Sequence, residues 1–189
     1  MDCRLGSLCR QMNGRLESQC KDTKNKSMAE KKNAISYESI MKDLKARKFA
    51  PVYVLMGDEP FYIDKICDYI AENVLQPEER DFNQTVLFGA DTTAVQVVDQ
   101  CKGYPMMAEF RVVIVKEAQN LKSLDALEKY LEKPVKSTIL VICNKNGSID
   151  RRKKFIPRAE QVGVVFESKK LYDRQLPGFI ETYLKARKA

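Results

Sequence analysis

Pro51-Val52-Tyr53-Val54-Leu55-Met56-Gly57-Asp58-Glu59-Pro60-Phe61-Tyr62-Ile63-Asp64 is the stretch on which the fold turns. The apolar run Val52 to Met56 has strand length and closes on Gly57. Ile63, Ile66, Cys67, Ile70 and Val74 then recur at helical spacing until Pro77, which removes a backbone donor and stops the helix. A continuous apolar strand running through a tight turn into an amphipathic helix is half of a parallel β-α-β unit.

The same alternation continues outward in both directions. Upstream, Ser36 is placed to cap a helix carrying Ile40, Met41 and Leu44. Downstream, strands are predicted at Asn83 to Phe88, Arg111 to Lys116, Thr138 to Cys143 and Val164 to Phe166. Between them fall a helix with Val95 and Val98, capped by Asp91 or Thr92, and one with Leu121, Leu124, Leu127 and Leu131 on one face. A polar turn at Asn144 to Ser148 leads to a short basic helix over Asp150 to Gln161, interrupted by Pro157, and Leu171 to Lys188 reads as mostly helical. This pattern predicts a three-layer α/β fold on a mainly parallel five-stranded sheet, covered on both faces. Ligands of such sheets sit at the C-terminal ends of the strands.

Composition removes several functions. The 189 residues are 44% apolar, enough for a core, and no apolar run approaches a bilayer span. The N-terminus carries no uninterrupted apolar stretch of the kind a secretion signal needs, which points to the cytoplasm. There is no histidine, so Ser-His-Asp and Cys-His mechanisms are excluded and the commonest zinc ligand is absent. The six cysteines have no metal-binding or redox spacing, and Cys67, Cys101 and Cys143 read as small buried hydrophobes. No cofactor is expected. Of the net charge of +7, residues 1–36 hold eight Lys or Arg and four Asp or Glu. Residues 37–189 are therefore only mildly basic, with 25 against 22. Residues 1–35, polar and without apolar period, read as a disordered leader, and Met28 is a candidate natural start.

The turn after the first strand is where a phosphate-binding loop would stand. Its pattern, G-x-x-x-x-G-K-[ST], cradles phosphates with backbone amides while the Lys and hydroxyl handle charge and metal. Laid from Gly57, the template puts Tyr62 at the second Gly, Ile63 at the Lys and Asp64 at the Ser/Thr. Asp58 and Glu59 add carboxylates where an anion would approach, although both are also favourable near a helix N-terminus. The strand Arg111 to Val115 ends at Lys116, where such ATPases carry the magnesium-organising aspartate. The fold class is therefore P-loop-NTPase-like with a degenerate nucleotide site.

Three segments together, VYVLMGDEPFYI (52–63), GYPMMAEFRVVIV (103–115) and ILVICNKNGSIDRRKK (139–154), resemble the delta subunit of bacterial DNA polymerase III over roughly residues 37–189. The resemblance implies an AAA+-like clamp-binding domain over 36–170 that has lost nucleotide binding. It implies the start of a helical lid at 171–189, with the rest of the lid and the collar missing, so that the chain is a fragment. It also implies a subunit that is not an enzyme by itself but a component of the polymerase holoenzyme. Its partners would be the sliding clamp (the beta subunit), the gamma/tau and delta prime subunits, and DNA indirectly or weakly. The family's clamp-binding element corresponds to Met106 and Met107, with Tyr104 and Pro105 before them and Phe110 after. Gly103 and Pro105 break the preceding helix, and two flexible thioethers can mould into an apolar pocket, with core filler as the less favoured reading of both methionines. The family often carries Leu and Phe there.

Arg151, Arg152, Lys153 and Lys154, with Arg158, form a basic cluster able to contact phosphates without reading sequence, or simply a solvated helix face. Two other functions remain open at this level: a degenerate nucleotide-binding ATPase and a free-standing DNA-binding domain. The missing Gly-Lys-Thr weighs against the first, and the mild charge against the second.

Overall fold

The computed structural model describes residues 35–123, 125–149 and 154–170. The elements run α1 (Tyr37–Lys45), β1 (Val52–Gly57), α2 (Pro60–Asn73), α3 (Pro77–Asn83), β2 (Gln84–Phe88), α4 (Ala94–Lys102) and β3 (Arg111–Lys116). A 3-10 turn (Ala118–Asn120), α5 (Asp125–Tyr130), β4 (Thr138–Lys145), α6 (Phe155–Val162) and β5 (Val164–Ser168) follow. The five strands form one sheet in the order β2-β3-β4-β1-β5. Every strand pair is parallel, with Val52 opposite Leu140, Tyr53 opposite Val164, and Arg111 opposite Thr138.

The apolar runs become central strands because both of their faces are covered. Val52, Val54 and Met56 of β1 join Val113, Val115, Leu140 and Ile142 on one face, beneath α4, α5 and α6. Tyr53 and Leu55 join Val112, Ile114, Ile139, Val141 and Cys143 on the other, beneath α1 and α2. Ile63, Ile66 and Ile70, the helical stripe of the opening stretch, are completely buried there. Each contributes about 1.5–3 kcal/mol of transfer free energy. The expected three layers and parallel sheet are present.

Details depart from the expectation for physical reasons. Pro77 stops nothing alone: it opens α3 at the first helical position, where its missing N–H has no intrahelical partner. Asn83 is consequently the last helical residue and β2 starts at Gln84. The cap of α4 is Thr93, which accepts from Gln96 N while Gln96 Oε1 accepts from Thr93 N, rather than Asp91 or Thr92. Leu121 is buried but precedes α5, because the chain first closes the short 3-10 turn; Leu127 and Leu131 pack as expected. Pro157 does not interrupt α6, since it lies in the first turn, where N–H groups are unsatisfied anyway. β4 runs on through Asn144 and Lys145 into the segment read as a turn. The expected leader over 1–34, Leu124, Arg151 to Lys153 and the helix over 171–188 lie outside the described residues.

Cys67, Cys101 and Cys143 are buried free thiols, and burial pushes Cys101 up to about 12. They serve as small core side chains. Among the described residues no helix is long and apolar enough to cross a membrane.

The sheet fixes the sharp exit of β1. Gly57 has φ +135, and a Cβ there would lie 2.0 Å from the Ser168 carbonyl oxygen. Gly57→Ala therefore both strains the backbone and drives β5 away from β1. We expect a loss of at least about 2 kcal/mol in chemical denaturation.

Candidate protein-contact site

The segment between α4 and β3 has no regular structure, and the local sequence explains why. Gly103 ends α4 with extended backbone, its N–H reaching Gln100 O at 3.3 Å. Pro105 denies the chain a further helical donor. Arg111 Nη2 donates to Gln100 Oε1 at 2.7 Å, tying the start of β3 back to the end of α4. The eight-residue excursion is thus stapled at its base.

Its side chains divide between core and solvent. Tyr104, Met106 and Met107 are 84%, 60% and 100% exposed. Met107 has a left-handed backbone, φ +53, a conformation that costs a non-glycine residue about 1–2 kcal/mol. The methionines are therefore not core filler. Phe110 turns the other way: it is half-buried, packs on the core face beneath α1 and α2, and meets Phe49 edge-on at 5.7 Å between ring centroids. Ala108 packs beside it and Pro105 is half-buried. The structure thus brings Tyr104, Met106 and Met107 to the surface and uses Phe110 to seat the segment.

One residue of this site escapes a reading of the sequence, and its neighbour in the chain is an exposed aromatic. Asn83, the last residue of α3, is fully buried and grips Met106 by its backbone. Met106 N donates to Asn83 Oδ1 at 2.6 Å, and Asn83 Nδ2 donates to Met106 O at 2.9 Å and to Glu79 O at 3.0 Å. Phe82, immediately before it, is 65% exposed. The available signal was a lone aromatic in the charged run Glu78-Glu79-Arg80-Asp81-Phe82, which no core periodicity explains.

The degenerate phosphate loop is internally satisfied. Gly57 N donates to Gly147 O at 3.0 Å and Asp58 N to Ser168 O at 3.1 Å, so neither amide is free for a phosphate. Asp58 is exposed, whereas the Glu59 carboxylate accepts from Phe61 N at 3.4 Å and caps α2. Ile63 is fully buried. Tyr62 is half-buried against Tyr37, 4.9 Å between centroids, and burial and nearby Glu38 raise its hydroxyl pKa. Asp64 meets Lys145 from the end of β4, with Nζ 2.6 and 2.9 Å from its two carboxylate oxygens. Lys116 ends β3 half-buried, its carbonyl accepting from Gly89 N at 2.8 Å. A cation there, and another across from Asp64, leave no carboxylate set for magnesium. Among the described residues no group of three or more acidic, Cys or His side chains could hold a metal ion.

Of the basic cluster, Lys154 is exposed at the start of α6. Arg158 is occupied: its Nη1 lies 3.3 Å from Glu128 Oε1 and 2.7 Å from Glu132 Oε1, clamping α6 to the α5 region.

The DNA polymerase III delta-subunit family matches residues 53–169, from β1 through β5. The chain belongs to that family. The DNA polymerase III subunit delta of Bacillus subtilis (strain 168) is 27% identical over 150 residues, 74% of this chain and 43% of the relative. The solved Bacillus subtilis DNA clamp loader delta protein superposes with a TM-score of 0.70 at 25% identity, covering 80% of this chain and 48% of that one. The chain spans about half the length of these delta relatives, or somewhat less.

The Asp64–Lys145 pair is partly exposed, so its contribution to stability is about 0–1 kcal/mol. The hydrogen bond to Asp64 raises the Lys145 pKa, and burial only partly opposes this. A raised amine pKa stabilises the fold below the unfolded pKa, the ordinary lysine value of 10.5, and that stability is lost as pH rises through the folded value. We expect Asp64→Asn to lower the Lys145 pKa measured by NMR titration and to abolish this alkaline loss, while moving neutral-pH stability by less than about 1 kcal/mol.

Proposed function

We propose that this domain is the part of a clamp-loader delta subunit that binds the sliding clamp and helps open the ring for loading on DNA. The observation that carries the reading is the exposed Tyr104-Pro105-Met106-Met107 segment, held away from the core in a member of the delta family. Two thioethers and a phenol on a stapled loop suit an apolar pocket on a protein, because methionine conforms to such a pocket with little strain. Phe110 supports the contact from beneath. In this reading the domain acts by binding and does no chemistry of its own, as one component of a holoenzyme.

The partners follow the same reading: the beta clamp through the methionine loop, and the gamma/tau and delta prime subunits through parts of the protein beyond this domain. Residues 171–189 would begin a helical lid, residues 1–35 would be a leader, and the location would be the cytoplasm. DNA contact through Arg151, Arg152, Lys153 and Lys154 would be weak. Arg158 is already paired with two glutamates.

Met106→Ala with Met107→Ala should weaken binding of the full chain to its cognate sliding clamp by more than about a hundredfold, taking about 2 kcal/mol or more per central anchor. The melting temperature should not move, since neither side chain is buried. Surface plasmon resonance on the purified clamp, paired with thermal melts, checks both. Unchanged binding would place the clamp contact on another segment.

Nucleotide should not bind. Calorimetry with ATP and magnesium should show no saturable binding below about millimolar, which corresponds to about 4 kcal/mol. A measurable site would favour the degenerate ATPase instead.

A further inference from the structure

Asn83 is buried completely and makes three of its four possible hydrogen bonds, each to a backbone group. Its oxygen accepts from Met106 N, and its amide nitrogen donates once to Met106 O and once to Glu79 O. This orientation is forced by the partners, because a flipped amide would oppose donor to donor and acceptor to acceptor. No other side chain of this length both donates and accepts in this way: aspartate cannot donate, and leucine can do neither. Asn83 therefore reads the Met106 backbone as a neighbouring strand would, across 23 residues of sequence. The clasp fixes the residue directly before the fully exposed, left-handed Met107. Chain order also puts Phe82, an exposed aromatic, next to the clasp.

We propose that Asn83 is the positioning residue of the methionine loop and that Phe82, carried on the same helix, belongs to the same protein-contact surface. The surface is then built from two elements, α3 and the 103–110 segment, and its partner presents a continuous apolar patch rather than a single slot. The proposal rests on the clamp-binding reading for the identity of that partner. One occupant is argued from α3 being held to the loop: Asn83, next to Phe82 in the chain, is hydrogen-bonded to the Met106 backbone. Pre-ordering the loop lowers the entropic cost of binding, so its loss weakens affinity without removing any contact atom.

The test uses the full chain and the purified cognate clamp. Phe82→Ala should leave the melt unchanged and weaken clamp binding about tenfold, as expected for an exposed anchor outside the interface centre. Asn83→Ala should speed hydrogen exchange of the Met106 amide in the free protein by about tenfold or more, because that amide loses its acceptor. It should also weaken clamp binding about tenfold, and this loss should shrink in a Met107→Ala background, since residues acting as a unit are not additive. Equal losses in both backgrounds with a lowered melt would make Asn83 merely structural and overturn its positioning role. Unchanged exchange at Met106 would do the same. Unchanged affinity in Phe82→Ala would remove Phe82 from the surface. If the unsubstituted chain fails to bind the clamp, the clamp reading falls, while the exchange measurement still decides the clasp.

Discussion

Strands β1, β3 and β4 lie inside a parallel sheet whose two faces are both covered by helices, and most other features follow from that burial. A strand with no wet face must be apolar at every position, which is why Val52 to Met56 and Ile139 to Cys143 run without polar interruption. The backbone groups of such strands have no water to bond, so their ladders must be complete. Parallel pairing in turn requires crossovers, and the helices that make them supply the cover. Where the strands end, the cover ends too, and the loops at the C-terminal edge are free to acquire sites.

At that edge the chain has spent its polar groups on itself. The Gly57 turn is closed by Gly147 and Ser168, the Glu59 carboxylate caps α2, and Asp64 holds Lys145. Each is a modest interaction, and several are partly exposed. Together they occupy the amides and charges that a phosphate would need. The turn, which lacks the template's Lys and Ser/Thr, thus has internal partners for its amides and charges.

The methionine loop is built on the opposite principle. Its base is pinned by Arg111 and Gln100, its middle by Asn83, and its far side by Phe110 against Phe49. Its exposed apolar atoms are left with nothing to cover them among the described residues. Large apolar side chains presented by a fixed backbone are an expensive surface for an isolated domain.

The sequence by itself determined the layers, the sheet and the failure of the phosphate loop, because these depend on local periodicity and on residue identity at fixed spacing. Apolar runs, continuous in the three inner strands, marked the sheet, and Tyr62, Ile63 and Lys116 were visibly of the wrong chemistry for a triphosphate. Boundaries were less legible: Pro77 is compatible with stopping one helix or opening the next, and in the folded chain the Gln76–Glu79 cap opens α3 there. The tertiary structure alone decided which apolar side chains of the 103–110 segment face water. Met106, Met107 and Phe110 are all strongly apolar, and the split between them is set by Phe49 and Asn83, residues distant in sequence. The Asn83 clasp was invisible for the same reason. A buried amide is tolerated only where donors and acceptors from elsewhere meet it, and that meeting exists only once the chain has folded.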